Sequence, residues 1–226
     1  MSSTVLKHAL VCASFAAFSI PVAVKQSQSI LSCEIVKTER AALKQAPKGV
    51  RRVSKHVLEI PSETGPQRFV DKPPHHKGEM GGVHWRYCGY DAKAKAHLIE
   101  LIDESSYSGD LLLVETGQRV RTGHTVLFSP NMKEFLAIER EAGVDGENWT
   151  VQDKTGNVVW KGYAGTVANN VDGVEMVVST FDRPRWTGQG ELTARFVCTS
   201  SNAYGTMTLV RLPSGRWGWS GHAKCP

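Results

Sequence analysis

The stretch Thr150-Val151-Gln152-Asp153-Lys154-Thr155-Gly156-Asn157-Val158-Val159-Trp160-Lys161-Gly162-Tyr163 decides the fold class of this chain. Its centre is a Thr-Gly-Asn turn between β-branched and aromatic runs, and a Gly-Tyr pair closes it. The chain repeats the phrase at Thr116-Gly117-Gln118 with Gly123-His124, and at Ser214-Gly215-Arg216 with Gly221-His222. A hairpin that occurs three times predicts an antiparallel meander built from copied hairpins.

Short runs of β-branched and aromatic residues, bounded by Gly, Pro, Asp or Asn, fill most of the chain around these repeats. We predict ten strands, at residues 97–103, 111–115, 125–128, 134–139, 149–153, 158–161, 174–181, 192–199, 206–212 and 217–221. One short N-terminal helix is predicted at 32–46, with Ser32 as its cap and Pro47 after its end. The expected fold class is all-β, either β-propeller-like or a β-sandwich.

Tryptophans recur in the second and third copies of the hairpin. Alternation places Val158 and Trp160 on one face of their strand, and Trp217 and Trp219 on one face of theirs. Large aromatic side chains on one strand face usually pack inward. We therefore predict that these tryptophans belong to the core, and an exposed aromatic platform for sugar or peptide is the alternative.

The N-terminus is typical of an exported protein. Lys7 and His8 form a weak basic region, and an apolar run from Ala9 to Ile20 follows. We predict a secretory signal peptide at residues 1–19, with a retained anchor as the alternative. The apolar run is shorter than the roughly 20 residues that a membrane span needs. We therefore expect no integral span after cleavage. The predicted location is the periplasm or the extracellular space.

The rest of the chain divides into two parts. Residues 20–82 are predicted to hold the helix and a linker at 61–82 that is rich in proline and glycine. Residues 83–226 are predicted to form the β-rich domain. Because the combined length suits one domain, we expect the two parts to pack as one unit.

Cysteine usage supports export. Cys12 lies in the predicted leader, and Cys33, Cys88, Cys198 and Cys225 remain after it. An even number in an exported chain predicts two disulfides, although four cysteines allow three pairings. We favour Cys33 with Cys88 and Cys198 with Cys225, because this pairing keeps each bridge within its own half.

One segment resembles a known repeat. The run Phe128-Ser129-Pro130-Asn131-Met132-Lys133-Glu134-Phe135-Leu136-Ala137-Ile138 is similar to the FSPDGKxLA turn and strand of TolB-like and WD-like β-propeller blades, and residues 149–160 resemble the outer hairpin of a blade. Within 116–163 the first two hairpin phrases begin 39 residues apart, close to a blade period of about 40. The resemblance implies a propeller-like fold and no functional residues. The next interval is 59 residues, so a sandwich or an open meander stays an alternative.

Motifs for catalysis and metal binding are missing from the sequence. There is no G-x-S-x-G elbow and no H-E-x-x-H, and paired cysteines disfavour a thiol enzyme. In the strand that holds His97 and Glu100, a spacing of three puts the two side chains on opposite faces. His75 and His76 are expected to be solvent-exposed. We therefore predict no catalytic, cofactor-binding or metal-binding residues.

The charge balance argues against a nucleic-acid partner. The chain has 27 Lys and Arg against 22 Asp and Glu, for a net charge of +5. A nucleic-acid binder is usually more basic, with its cations gathered on one face. Here the basic residues are interspersed with acids, which indicates ordinary solvated surface.

The segment from Phe181 to Gly190 is the strongest candidate for recognition. It places Arg183, Arg185 and Trp186 in a connection rich in Pro and Gly, and Arg and Trp are enriched at binding hot spots. We predict these three residues as a partner-binding site. The alternative for Trp186 is that it folds back on the core.

These features predict an exported, non-catalytic binding protein with a protein partner in the envelope or outside the cell. An inhibitor or immunity-type protein that blocks a secreted enzyme is one concrete form. The first alternative is a cell-envelope hydrolase acting on glycan or peptide, which requires a cleft with two carboxylates, or a His and a carboxylate, of displaced pKa. The second is a structural envelope protein.

Overall fold

A computed structural model describes residues 28–73, 82–103, 106–141, 147–169, 173, 175–220 and 225. Within these ranges the chain forms one short helix and seventeen strands, and every strand pairing is antiparallel. The predicted all-β class with a short helix is confirmed. The predicted leader at 1–19 lies outside the described residues. Among the residues described, no helix has the length and apolar character of a membrane span.

The elements make three sheets. In chain order they are β1 (Ile30–Ser32), α1 (Glu39–Gln45), β2 (Arg51–Ser54), β3 (Val57–Ile60), β4 (Gln67–Val70), β5 (His84–Asp91), β6 (Ala96–Ile102), β7 (Ser106–Leu113), β8 (Arg119–Gly123), β9 (Thr125–Phe128), β10 (Glu134–Glu141), β11 (Asn148–Asp153), β12 (Val158–Tyr163), β13 (Gly165–Asn169), β14 (Glu175–Trp186), β15 (Leu192–Cys198), β16 (Tyr204–Arg211) and β17 (Trp217–Ser220). A nine-stranded sheet contains β1 and β5–β12, a five-stranded sheet contains β13–β17, and a three-stranded sheet contains β2–β4.

All ten predicted strands are present, and seven further strands lie outside those ten segments: β1–β5, β8 and β13. Several of these are short and show little alternation. One of them, β4, interrupts the segment predicted as an irregular linker at 61–82. It has four residues, of which Phe69 alone is buried, so periodicity is too brief there to signal a strand. Sheet pairing with β3 stabilises it.

The predicted start of the helix was wrong. The helix begins at Glu39, where the Thr38 hydroxyl accepts a hydrogen bond from the Ala41 backbone N–H across 3.2 Å. Ser32 is instead part of β1, and its hydroxyl lies 2.7 Å from that of Thr125 on the paired strand β9. Pairing with β9 keeps Ser32 in a strand and a turn at residues 33–35 follows, so tertiary structure overrides the local helix preference at this end.

The nine-stranded sheet curls back on itself. Its order β1-β9-β10-β7-β6-β5 leaves β1 and β5 at opposite edges, yet a disulfide between Cys33 and Cys88 joins those edges. Beside it, Nη2 of Arg86 donates to the Cys33 carbonyl oxygen across 3.0 Å. The other bridge links Cys198 to Cys225, so the favoured pairing is confirmed. The interior of the curl holds Leu31, Ala94, Ala96, Leu98, Leu111, Leu113, Val120, Val126, Phe128, Phe135 and Ala137.

The repeated Gly-His and Gly-Tyr pairs mark corners at which one strand changes partner. Only His124 separates β8, which pairs with β7, from β9, which pairs with β10. At this corner a Cβ on Gly123 would lie 1.7 Å from the Ile138 carbonyl oxygen, so no side chain fits. Ala164 separates β12 from β13 in the same way. The third pair, at 221–222, lies outside the described residues.

Two layers cover the outer faces of the curled sheet. The five-stranded sheet packs on β9–β11, and α1 with the three-stranded sheet packs on β5–β7. As predicted, Trp217 is buried in the first layer and Trp160 and Trp219 pack against it; Trp149, for which no prediction was made, is buried there too. The four-stranded meanders β5–β8 and β9–β12 fit the all-β class, whereas a ring of propeller blades is not confirmed.

The predicted shared face of Val158 and Trp160 was wrong. A bulge shifts the register of β12, which pairs Trp160 with Val151 but Val158 with Gln152. The extra residue breaks the alternation of side chains. Val158 is therefore exposed, although its neighbour Val159 packs on the core.

Candidate functional site

The interior of the curled sheet changes from apolar to polar along its strands. From β8 into β9, alternate residues face inward: Val120, Thr122, His124, Val126 and Phe128. The apolar members of this row belong to the interior core, while Thr122 and His124 are buried polar residues. One end of the interior is therefore lined by groups that can hydrogen-bond.

Strands β5 and β6 contribute a buried ion pair to the same end. After Ala96 and Leu98, the next inward position on β6 is Glu100, which pairs in register with Arg86 on β5. Nε of Arg86 donates to Oε2 of Glu100 across 2.6 Å, and the carboxylate side chain is only 4% exposed. As predicted, His97 points the other way and bonds Tyr87.

A second set of charged groups lies where this end meets solvent. Nη1 of Arg140 lies 3.1 Å from Oε1 of Glu34, and Nη2 donates to Oε1 of Glu147 across 3.0 Å. Oε2 of Glu147 accepts from the indole N–H of Trp149, which is anchored in the core. Arg140 and Glu34 are about half exposed, so the site is accessible from outside.

His124 connects the two sets. Its Nε2 lies 3.5 Å from Oε1 of Glu34, and the residue is only 3% exposed. Within the part of the chain that the structure describes, neither its Nδ1 nor the hydroxyl of Thr122 has a hydrogen-bond partner. Burial is the main cause that lowers the pKa of His124, with a smaller contribution from Arg140, while the Glu34 and Glu147 carboxylates act in the opposite direction. The imidazole is therefore neutral near pH 7.

These groups line a cavity of about 330 Å³. Its lining residues are Glu34, Arg86, Glu100, His124 and Arg140, and every one is ionisable. We call this the ionisable cavity. Buried polar atoms normally find a partner, so an unpartnered imidazole nitrogen at a charged cavity indicates a place for a ligand group.

A groove of about 510 Å³ adjoins the cavity and shares Glu34, His124 and Arg140 with it. The rest of its wall includes Ile30, Ile35, Thr125, Leu127, Ile138, Ala164, Phe181, Arg183 and Pro184. We call this the adjoining groove. It combines exposed apolar residues with charge next to the buried site.

The three residues predicted as a partner-binding site are not brought together. Trp186 is buried, its indole N–H donates to the Leu127 carbonyl oxygen across 2.9 Å, and its ring packs edge-on against Trp217. The core alternative is the one observed, because β14 continues through this segment and buries Trp186. Arg185 is exposed and bonds Thr193 outside the groove.

Only Arg183 reaches the adjoining groove. It lies in a bulge, where the pairing of β14 with β15 shifts register between Asp182 and Arg185. Its φ of +50° is in the left-handed region, which is uncommon for a residue with a side chain. Bulges and such backbone conformations are concentrated next to binding sites.

Sequence reasoning missed the residues of the ionisable cavity. His124 was noticed only as part of a repeated phrase, and Glu100 only as part of a metal-type spacing. The useful signal was the alternation of inward-facing and outward-facing residues, which continues through the corner from β8 to β9. It places His124 on the same inward face as Val120 and Phe128. Glu34, Arg86 and Arg140 come from separate elements, and only folding brings them together.

Among the described residues, one close grouping of metal-ligand types occurs: Cys33, Cys88 and Glu100. Both sulfurs are in the disulfide, so neither is a thiolate ligand. The fold and site define the class of protein as a disulfide-bonded, all-β chain with an accessible cavity of ionisable groups. No family model, curated protein or solved structure matches this chain.

Proposed function

We propose that this chain is an exported, disulfide-stabilised binding protein that works in the periplasm or outside the cell, and that the ionisable cavity is its binding site. The proposed ligand is a protein partner, and a secreted enzyme that this chain inhibits is one concrete form. The observation that carries the proposal is His124, which is nearly fully buried, lines an accessible cavity and has no hydrogen-bond partner for its Nδ1 among the described residues.

The adjoining groove supports a protein as the partner. Ile35 and Ile30 are 67% and 45% exposed at its edge, and Arg183 lies on its wall. A surface with exposed aliphatic residues, an arginine and a charged pocket matches the mixture found at protein interfaces. A partner segment in the groove can place one side chain in the cavity.

Binding to an identified partner tests the proposal. The oxidised chain is used as bait with envelope and secreted fractions, and each captured protein is then purified and titrated calorimetrically against the chain. We expect one-to-one binding that is weakened by Arg140→Ala or His124→Gln. Arg185→Ala is the matched control, because this arginine is also exposed and lies outside the groove. A partner that binds all variants with equal affinity would show that the cavity is not the binding site.

A second candidate is a cell-envelope hydrolase acting on glycan or peptide. It is favoured by the neutral His124 near the Glu34 carboxylate, since a neutral imidazole held by a carboxylate is suited to general-base catalysis. Turnover of peptidoglycan or peptide by the purified chain tests it. Activity that disappears in both Glu34→Gln and His124→Gln would replace the binding proposal with this one.

A further inference from the structure

The charges around the ionisable cavity do not cancel. The guanidinium groups of Arg86 and Arg140 balance the carboxylates of Glu34 and Glu100 in the lining, and a third carboxylate, of Glu147, lies outside the lining against Arg140. The imidazole contributes no positive charge near pH 7. The set therefore has one uncompensated negative charge, which favours a ligand group with a single positive charge.

The existing pairs leave little for an anion to bind. Arg86 already donates to Glu100 and to the Cys33 carbonyl oxygen, and Arg140 spans Glu34 and Glu147. An incoming carboxylate would have to displace these partners and approach the remaining negative charges. A cation must compete with the same arginines, but the Glu34 side chain is about half exposed and can turn toward an incoming positive group.

The unpartnered atoms specify a hydrogen-bond donor. With Nε2 directed to Glu34, the proton of the neutral imidazole belongs on Nε2, which leaves a lone pair on Nδ1. A buried lone pair without a donor is costly, so a group that donates to it gains free energy on binding. An ammonium group has three donors and no acceptor, and it is compact enough for a small cavity.

Resting on the proposed function, we infer that the ionisable cavity receives the ammonium group of a lysine side chain from the protein partner. Glu34 supplies the opposite charge and His124 accepts a hydrogen bond. The partner backbone lies in the adjoining groove, beside Ile35, and the alkyl chain of the lysine extends past it into the cavity. The outer Arg140–Glu147 pair stays in place at the rim.

Calorimetry with small probes tests this inference on the oxidised full chain. The probe is Nα-acetyl-lysine N-methylamide, compared with its Nε-acetylated form, which lacks the charge, and with the corresponding glutamate derivative. We expect only the lysine probe to bind. Glu34→Gln, which removes the charge and keeps the shape, is expected to weaken binding at least about tenfold, as expected for loss of a charged hydrogen-bond partner. Glu115→Gln is the matched control, since that exposed carboxylate pairs with Lys95 away from the cavity.

The pH dependence of lysine-probe binding is a second test of the inference. Protonating His124 removes the acceptor and cancels the surplus charge of the surrounding Glu34, Glu100, Glu147, Arg86 and Arg140, so binding of the lysine probe should weaken as pH falls. This weakening should be absent in His124→Gln, which binds poorly at every pH.

The outcomes separate the two proposals. Binding of the glutamate or the Nε-acetylated probe at the cavity, or no binding of the lysine probe, overturns the ammonium inference. The proposed function still stands in those cases if a purified partner is lost with Arg140→Ala. If the lysine probe binds but Glu34→Gln has no effect, the cavity is not where the ammonium group binds, and the inference again fails.

Discussion

Arg86 and Glu100 form a hydrogen-bonded ion pair inside the curled sheet, with Nε 2.6 Å from Oε2. Their strands pair these two residues directly, and Arg86 is further held by the Cys33 carbonyl oxygen at the disulfide that joins the sheet edges. The pair therefore helps to hold the two edges of the curled sheet together. Both residues also line the ionisable cavity, so its wall depends on this ion pair.

Breaking this pair from one side should be strongly destabilising. Arg86→Met leaves the Glu100 carboxylate buried without its partner, so the free energy of unfolding is expected to fall by about 3–5 kcal/mol. Denaturant unfolding measures this. The Arg86→Met/Glu100→Leu double variant should recover much of the loss. Lys95→Met, which breaks an exposed pair with Glu115, is the control, and an equal effect in both single variants would contradict the argument.

His97 should make the protein less stable in acid. Burial lowers the pKa of His97 to about 4, while its ordinary value is 6.5. Between these values the unfolded chain binds a proton that the folded chain does not, so stability falls as pH drops from about 6.5 to 4 and the effect ends below that. The shift corresponds to about 3 kcal/mol.

Unfolding measured across this pH range in wild type and His97→Phe tests the expectation, because the difference between the two curves isolates His97. Tyr87→Phe is the control. Burial raises the pKa of Tyr87, so its hydroxyl keeps its proton, and the hydroxyl oxygen shares a hydrogen bond of 3.0 Å with Nδ1 of His97. Its loss should lower stability over the whole range. Parallel curves for wild type and His97→Phe would be evidence against the assignment.

The two disulfides should differ in what their removal costs. The Cys33–Cys88 bridge spans 55 residues and Cys198–Cys225 spans 27. In the chain-entropy model, removing the first costs about 4 kcal/mol and the second somewhat less. The first also releases the edges of the curled sheet, so only its double alanine variant should weaken ligand binding at the cavity. Equal binding by both double variants would show that the cavity does not depend on the closed edge.

Gly123→Ala should be among the most damaging small substitutions. The added methyl group would lie 1.7 Å from the Ile138 carbonyl oxygen, and a backbone atom of a paired strand cannot turn aside as a flexible side chain can. We expect a loss of more than about 3 kcal/mol, or failure to fold. Gly188→Ala is the matched control, since a Cβ there meets no atom within 4 Å. Thermal unfolding of the two variants measures the difference. Similar midpoints would show that the backbones of β8 and β10 do not approach so closely at Gly123.

Trp186 should behave as a core residue. Trp186→Ala is expected to cost about 3–5 kcal/mol, because it empties a buried site and removes the donor to Leu127. Trp186→Phe should cost less, since it keeps most of the packing against Trp217. Arg185→Ala should change stability by less than about 0.5 kcal/mol. A large effect of Trp186→Ala on partner binding in a fully folded variant would support the prediction that this residue binds the partner.

Local patterns were sufficient for much of the fold. The repeated hairpins and the ten strands could be predicted from the chain, because alternation and turn residues are properties of neighbouring positions. The sequence allowed three disulfide pairings and favoured the one observed. Strands such as β2 and β4 were not visible, since they are short and depend on pairing with β3. The helix start was misplaced because Ser32 is more stable in a strand paired with β9.

The candidate site depended on long-range geometry. By itself the sequence determined the all-β class of fold and the repeated hairpins, and it favoured the disulfide pairing that is observed. Only the tertiary structure decided that Arg86, Glu100 and Arg140 meet His124, and that Trp186 is buried rather than exposed. The physical reason is that sequence periodicity shows which face of a strand a residue occupies, whereas curling of the sheet decides which faces meet and which charges must share a buried space.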